Sequence, residues 1–283
     1  MTFWMEANIP HSTDAAEAWA SLEDELDAWA DTERRATFWW RDDDATTPTP
    51  ALERLLRAAG RHGVPLALAV IPRDTGEALP AALPPSVAVL QHGWAHANHA
   101  APPAKKAELG DDRPLAEVAG ELTAGWDRLA GLFGRRALPV VTPPWNRVGA
   151  GVASALPSMG FRGLSTFGPR PEGGGIMRIN THADVIDWRG GRRFAGTAAV
   201  LAAVVAHLRG RRLGTADAEE PTGLLTHHLD HDDGVWEFID RFFDKTRHHP
   251  VTAWPSAEEL FPYPDMSTHR PSTEAAARER RGP

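Results

Sequence analysis

The sequence predicts an α/β protein whose mostly parallel sheet is covered by helices. Apolar runs of strand length alternate with stretches whose apolar residues recur at helical spacing, from residue 36 to about 261. Several runs, among them VPLALAVI (64–71) and VAVLQHG (87–93), are apolar on both faces, as strands sandwiched between helices must be. The chain has 283 residues, 42% of them hydrophobic, enough to bury one sizeable core.

The elements follow in order. Residues 1–35 are acidic and alanine-rich, and 14–30 read as an amphipathic helix, so an N-terminal helical extension precedes the main domain. ATFWWRD (36–42) is rich in strand formers. Leu52, Leu55, Leu56 and Ala59 fall at i, i+3, i+4 and i+7, one face of a helix that Gly63 follows. After the two apolar runs, Leu115, Val118, Leu122, Trp126 and Leu129 mark another helix. ALPVVTPP (137–144) is strand-like and is stopped by its prolines. A short helix near 150–158 leads to FRGLSTFG, and after a Gly/Pro loop IMRINTHADVIDW (176–188) is extended in pattern.

Val200, Leu201, Val204, Val205 and Leu208 share a helical face. TGLLTHHL (222–229) is a strand ending in histidines, and Trp236, Ile239, Phe242 and Phe243 mark the next helix. VTAWPSAEELF (251–261) supplies a last short strand and helix. Residues 36–264 therefore form one domain without internal repeats, and 265–283, polar and charged, read as a flexible tail. Seven or eight strands result. An open doubly wound sheet and a closed barrel both fit this order, although no GxGxxG follows the first strand to support a dinucleotide site.

Composition narrows the function. The formal net charge is -8 and basic residues form no long block, which argues against nucleic acid or an anionic membrane as the main partner. The absence of cysteine removes disulfides, thiolate metal sites and thiol nucleophiles, so any metal must be held by His, Asp or Glu. The N-terminus lacks the basic and apolar regions of a signal peptide, and no run of about 18 apolar residues could span a membrane. A cytoplasmic location is the default expectation.

Polar groups gather where strands end. Asp42, Asp43 and Asp44 close the first strand, His92, His96 and His99 follow the third, and His227 and His228 end the penultimate one. In barrels and open α/β sheets the strand C-termini share one face, where sites form. His92 and His96 are four apart, so on a helical turn both imidazoles project from one face and can reach one cation. A carboxylate from another strand would complete a His₂Asp set with positions left open. The same HxxxH spacing also suits a polar loop with surface histidines.

Three adjacent carboxylates have a reason to coexist beside a divalent cation. One ligates it, and another takes a proton from water that the cation acidifies. The alternative is an acidic turn in which Asp44 or Thr49 caps the following helix. His227 is a candidate general acid for a leaving amine, with Asp187 as the carboxylate that orients it, although a solvated strand end has the same pattern.

Taken together, these segments resemble the polysaccharide deacetylase (NodB-homology) family, metal-dependent hydrolases that remove acetyl groups from N-acetylated sugars. RDDDA resembles its first motif, HGWAH its second, TPPW (142–145) its third, DVIDW (184–188) its fourth and LTH (225–227) its fifth. The five occur in order across residues 38–228. The resemblance implies a distorted (β/α) barrel of seven or eight strands. It implies His92 and His96 as metal ligands; the aspartate pair allows two registers, and the one with Asp43 as base and Asp44 as ligand is preferred because it places Ala45 where the family usually has Gly. It implies His227 as acid with Asp187 tuning it, an oxyanion contact from the Trp145 N–H, and a substrate groove formed by Pro144, Trp145 and Trp188.

Zn²⁺ suits two histidines and a carboxylate first, and Co²⁺, Ni²⁺ or Mn²⁺ also fit. The expected substrate is an N-acetylated carbohydrate. Two alternatives are a non-sugar amide or cyclic imide, and a catalytically silent metal- or carbohydrate-binding barrel. The chain departs from the pattern at Thr142, where the family has the arginine that holds the base, leaving Arg41 or Arg147 to substitute. It departs again at Gly93, in place of a hydroxyl residue, and carries His99 and His228 in addition.

Overall fold

The computed structural model describes residues 14–262 apart from 172 and 174, so the expected flexible tail at 265–283 and the first 13 residues lie outside the described residues. Seven strand positions form a curled parallel sheet: β1 (Ala36–Ala45), β2 (Ala67–Val70), β3 (Ala88–His92), β4 (Ala137–Thr142), β5 (Gly163–Leu164), the successive pair β6 (Met177–Arg178) and β7 (Ala183–Asp184), and β10 (Thr222–Thr226). A short antiparallel hairpin, β8 (Ile186–Asp187) and β9 (Arg193–Phe194), follows β7, and β11 (Thr252–Ala253) pairs with the start of β1.

The segment carrying β6 and β7 closes the curl. On one side Ile179 N donates to Leu164 O of β5 and Thr181 N to Thr166 O just beyond it; on the other His182 N and Val185 N donate to Gly223 O and Leu225 O of β10. Of the two topologies that the element order allows, the protein adopts the barrel, distorted where one strand serves both edges.

Helices α1 (Ala15–Ala30), α2 (Pro50–His62), α3 (Ala78–Ala82), α4 (Leu115–Phe133), α5 (Ala150–Ala155), α6 (Thr197–Leu213), α7 (Asp233–Arg247) and α8 (Ala257–Leu260) complete the chain. Local chemistry sets their ends. Thr49, not Asp44, caps α2 by accepting from Leu52 N, with Pro50 at the first helical position, and Gly63 closes it at φ 61. Helix α1 of the N-terminal extension is part of the main core: its Trp19, Leu22, Leu26 and Trp29 are buried in the same cluster as Leu201 and Leu208 of α6. The Glu25 carboxylate joins these helices through Arg209 and Arg212.

Strand β1 shows how the barrel is filled. Its alternate residues take opposite faces. Phe38 and Trp40 pack outward into the helical layer, while Trp39 turns inward among Ala67, Ala69, Ala88 and Leu90. Small alanines on β2 and β3 make room for that indole, whose Nε1 donates to Asn180 O at 2.8 Å. One period further up, Arg41 occupies the barrel interior, and one period further still Asp43 reaches its mouth.

Candidate metal and catalytic site

The three aspartates at the end of β1 have three different surroundings. Asp42 continues the outward series. It is fully buried and accepts from Thr226 Oγ1 (2.6 Å), His228 N (3.0 Å) and His228 Nδ1 (2.5 Å), which ties β1 to the exit of β10. Burial alone would raise its pKa, but His228 more than offsets this and the carboxyl is held below its usual range. His228, without a role in the sequence reading, is therefore the partner of a buried carboxylate.

Asp43 faces inward and meets Arg41, two residues earlier on the same strand. Arg41 Nε and Nη2 donate to Asp43 Oδ1 and Oδ2 at 2.8 and 3.0 Å, a bidentate fork. The fork is fixed in turn by Ser165 Oγ (2.6 Å from Nη1) and Asn146 Oδ1 (2.7 Å from Nη2). The arginine expected after β4 is thus replaced from within β1. Arg147, the other candidate, instead donates to Lys106 O at the surface. Thr142 has a different part: its hydroxyl donates to Gln91 O, and its own carbonyl accepts from His92 Nδ1 at 2.9 Å.

By strict alternation Asp44 would point outward. A register shift between Asp42 and Ala45 and a left-handed backbone at Asp44 (φ 74) turn it to the mouth instead. There Asp44 Oδ1 lies 3.0 Å from His92 Nε2 and 3.3 Å from His96 Nε2. The imidazole pair is not built as the spacing predicts. His92 ends β3, but residues 93–99 are irregular, and His96 takes a positive φ of 53. The loop is organised by Glu108, which is fully buried and accepts from Trp94 N, Ala95 N and Ala97 N at 3.1, 2.7 and 3.4 Å. A side chain at position 93 would collide with this carboxylate and stand 2.7 Å from Pro144 Cδ, so only glycine fits, at φ 58.

Donor chemistry tests whether these three residues suit a cation. A carbonyl cannot donate, so the His92 proton sits on Nδ1 and, in the neutral ring, Nε2 presents a lone pair. That lone pair faces a buried Asp44 Oδ1 that has no hydrogen-bond donor of suitable geometry. Acceptors converging in this way need a positive charge between them. Burial alone would lower the His92 pKa, yet the Asp43 and Asp44 carboxylates raise it on balance. Burial, helped by His92, lowers that of His96. The three ligand atoms lie within 4.8 Å of one another, and the fit to a divalent ion is good.

A second group, His182, His207 and Glu220, is equally compact but fits poorly. The two rings stack nearly parallel at 3.4 Å, so no single ion lies in both ring planes. His182 Nδ1 also accepts from Gly223 N, which places its proton on the nitrogen facing Glu220.

His227 stands across the mouth, its Nε2 4.0 Å from Asp43 Oδ2 and its Nδ1 4.0 Å from Asp184 Oδ1. The carboxylate beside this imidazole is Asp184, not Asp187. Asp187 lies past the end of β7 in the β8–β9 hairpin, where its Oδ1 accepts from Arg189 N and Gly190 N. Asp184 is steered by Trp188, whose Nε1 donates to Oδ2 at 2.8 Å while its ring meets His227 edge-on at 4.6 Å. Burial raises the Asp184 pKa.

Trp145 sits at φ 55, and its ring is 4.5 Å from that of His96. Both tryptophans line a cavity of about 1150 Å³ together with Asp43, Asp44, His92 and His227. Pro144 does not line it; it is buried beneath Gly93. His99 is exposed, and its backbone N–H donates to Ala107 O.

No family model and no curated protein matches the sequence. The fold does match solved structures. A peptidoglycan N-acetylglucosamine deacetylase superposes with a TM-score of 0.52 at 14% identity, covering 80% of this chain and 88% of that one. The peptidoglycan deacetylase PdaC of Bacillus subtilis gives 0.50 at 15% identity, covering 88% and 94%. The chain has the fold of the polysaccharide deacetylases. A CE4 esterase from Streptococcus mutans superposes similarly, with a TM-score of 0.50 at 14% identity over 83% of this chain and 90% of that one. At these identities the likeness is one of fold.

Proposed function

We propose that the chain is a metal-dependent hydrolase of C–N bonds that removes acetyl groups from an N-acetylated carbohydrate. The observation that carries this reading is the convergence of Asp44, His92 and His96 on one point, with Asp43 and His227 beside it in the same cavity. A divalent cation at that point, with Zn²⁺ the best match to the donors, supplies a Lewis acid that acidifies water and polarises a carbonyl.

The chain's own groups divide the remaining work. Asp43, fixed by the Arg41 fork, accepts the proton of the attacking water. His227 delivers a proton to the departing nitrogen, and Asp184 flanks its other ring nitrogen at 4.0 Å. Trp145 and Trp188 offer aromatic walls for a sugar ring.

A silent barrel is the weaker reading, because its premise was a base left unsupported by Thr142, and Arg41 supports it. Hydrolysis of a non-sugar amide or cyclic imide keeps the same site and is separated by product, acetate against a ring-opened acid. The test is His92→Ala, expected to lose both bound metal and acetate release; wild-type turnover in that variant contradicts the assignment.

A further inference from the structure

The cavity gathers four basic side chains around its acidic centre. At that centre, Asp43 is neutralised by Arg41, and Asp44 belongs to the cation site. Lys106, Arg147, Arg189 and Arg192 line the same cavity, whose remaining carboxylates are Asp184, beside His227, and Asp74, already paired with Arg73 at 3.0 Å.

The four cations come from two separate walls. Lys106 Nζ lies 5.9 Å over the Trp145 ring, and Arg147 Nη1 donates to the Lys106 backbone carbonyl at 2.7 Å, which places both residues on one wall. On the other wall Arg192 lies 5.3 Å over the Trp188 ring and is pinned to Asp230 at 2.9 Å. Among the described residues, Lys106, Arg147 and Arg189 have no carboxylate within ion-pair distance. Cations held together without counter-charge repel, and an anion between them relieves that cost. Each wall also sets one cation over an aromatic ring, Lys106 over Trp145 and Arg192 over Trp188, so a sugar ring held by these tryptophans would bring an attached anion to the cations.

We infer that the substrate is an anionic N-acetylated sugar, one whose carboxylate or phosphate group is read by the Lys106–Arg147 and Arg189–Arg192 walls. This rests on the deacetylase reading and specifies its substrate class. The test measures both equilibrium binding and acetate release for three probes: an N-acetylglucosamine oligomer, N-acetylglucosamine 6-phosphate and N-acetylmuramic acid.

At low salt the anionic probes should bind about tenfold or more tightly than the neutral oligomer, the scale of one charge-assisted contact. The preference should collapse as the Debye length shrinks from about 10 Å at 0.1 M salt to about 3 Å at 1 M. Arg189→Gln and Arg147→Gln should each lower the anionic-to-neutral ratio of kcat/KM, mainly through KM. Preference for the phosphate or for the carboxylate probe identifies the anion.

Equal binding of charged and neutral probes, or a ratio unmoved by both substitutions, overturns the inference. Acetate released equally well from the neutral oligomer overturns it and leaves the hydrolase reading intact. Tight, salt-sensitive binding without acetate release does the reverse.

Discussion

Arg41→Met removes the guanidinium fork and leaves the Asp43 carboxylate in a site where both side chains are almost fully excluded from solvent, at 0% and 2% exposure. No solvent screening softens that loss. Breaking a buried pair by removing one partner costs about 3–5 kcal/mol. For a domain of this size each kcal/mol moves Tm by about 2–4 °C, so the variant should melt roughly 10 °C lower.

The assay is thermal and urea unfolding of the wild type, Arg41→Met, Asp43→Leu and the double variant. Removing both charges leaves no orphaned carboxylate, so the double variant should recover much of the stability lost by Arg41→Met. Acetate release should fall in every variant, while metal content should survive in Arg41→Met because Asp44, His92 and His96 are untouched. An Arg41→Met protein with unchanged Tm, or a double variant no more stable than the single one, would refute the claim that this arginine serves the Asp43 charge.

Further outcomes follow from neighbouring contacts. Asp184→Asn should lower kcat by about 10²-fold or more, the usual scale of a general acid and its support, whereas Asp187→Asn should leave kcat near wild type; equal losses would restore Asp187 to the site. Glu108→Gln should weaken metal binding by about 10–100-fold in calorimetry, because it loosens the loop that presents His96; unchanged affinity would contradict that role.

The Asp42–His228 pair makes stability depend on pH. The depressed Asp42 contributes above about pH 3.9 and loses its contribution as pH falls through its folded value. The raised His228, which burial opposes and Asp42 drives, contributes below about pH 6.5 and loses it as pH rises through its folded value. The stability gap between wild type and Asp42→Leu/His228→Phe should therefore be widest between these limits in urea titrations and narrower at pH 9, and a gap flat with pH would exclude the linkage.

Much of this fold is legible because strand and helix periods are carried by apolar residues, from Leu52 and Leu55 of α2 to Phe242 and Phe243 of α7. Barrel closure is not legible, since it depends on hydrogen bonds from residues 179–185 to two distant strands. Arg41 and Asp43 lie two apart on a strand and so share a face, a signal present in the sequence that singles out Arg41 over Arg147. The helical geometry assumed for His92 and His96 fails for a reason that spacing cannot reveal: Glu108, more than ten residues on, folds beneath the loop. The exchange of Asp184 for Asp187 has a similar origin. Strand β7 ends at Asp184, and in the hairpin that follows Asp187 turns its carboxylate onto Arg189 N and Gly190 N.

The central claim is that one divalent ion is held by Asp44, His92 and His96. Anomalous diffraction from crystals grown with Zn²⁺ tests it most directly. The expected result is a single strong peak about 2.0–2.2 Å from Asp44 Oδ1, His92 Nε2 and His96 Nε2. A peak at His182 and His207 instead, or none at the mouth of the barrel, would contradict it.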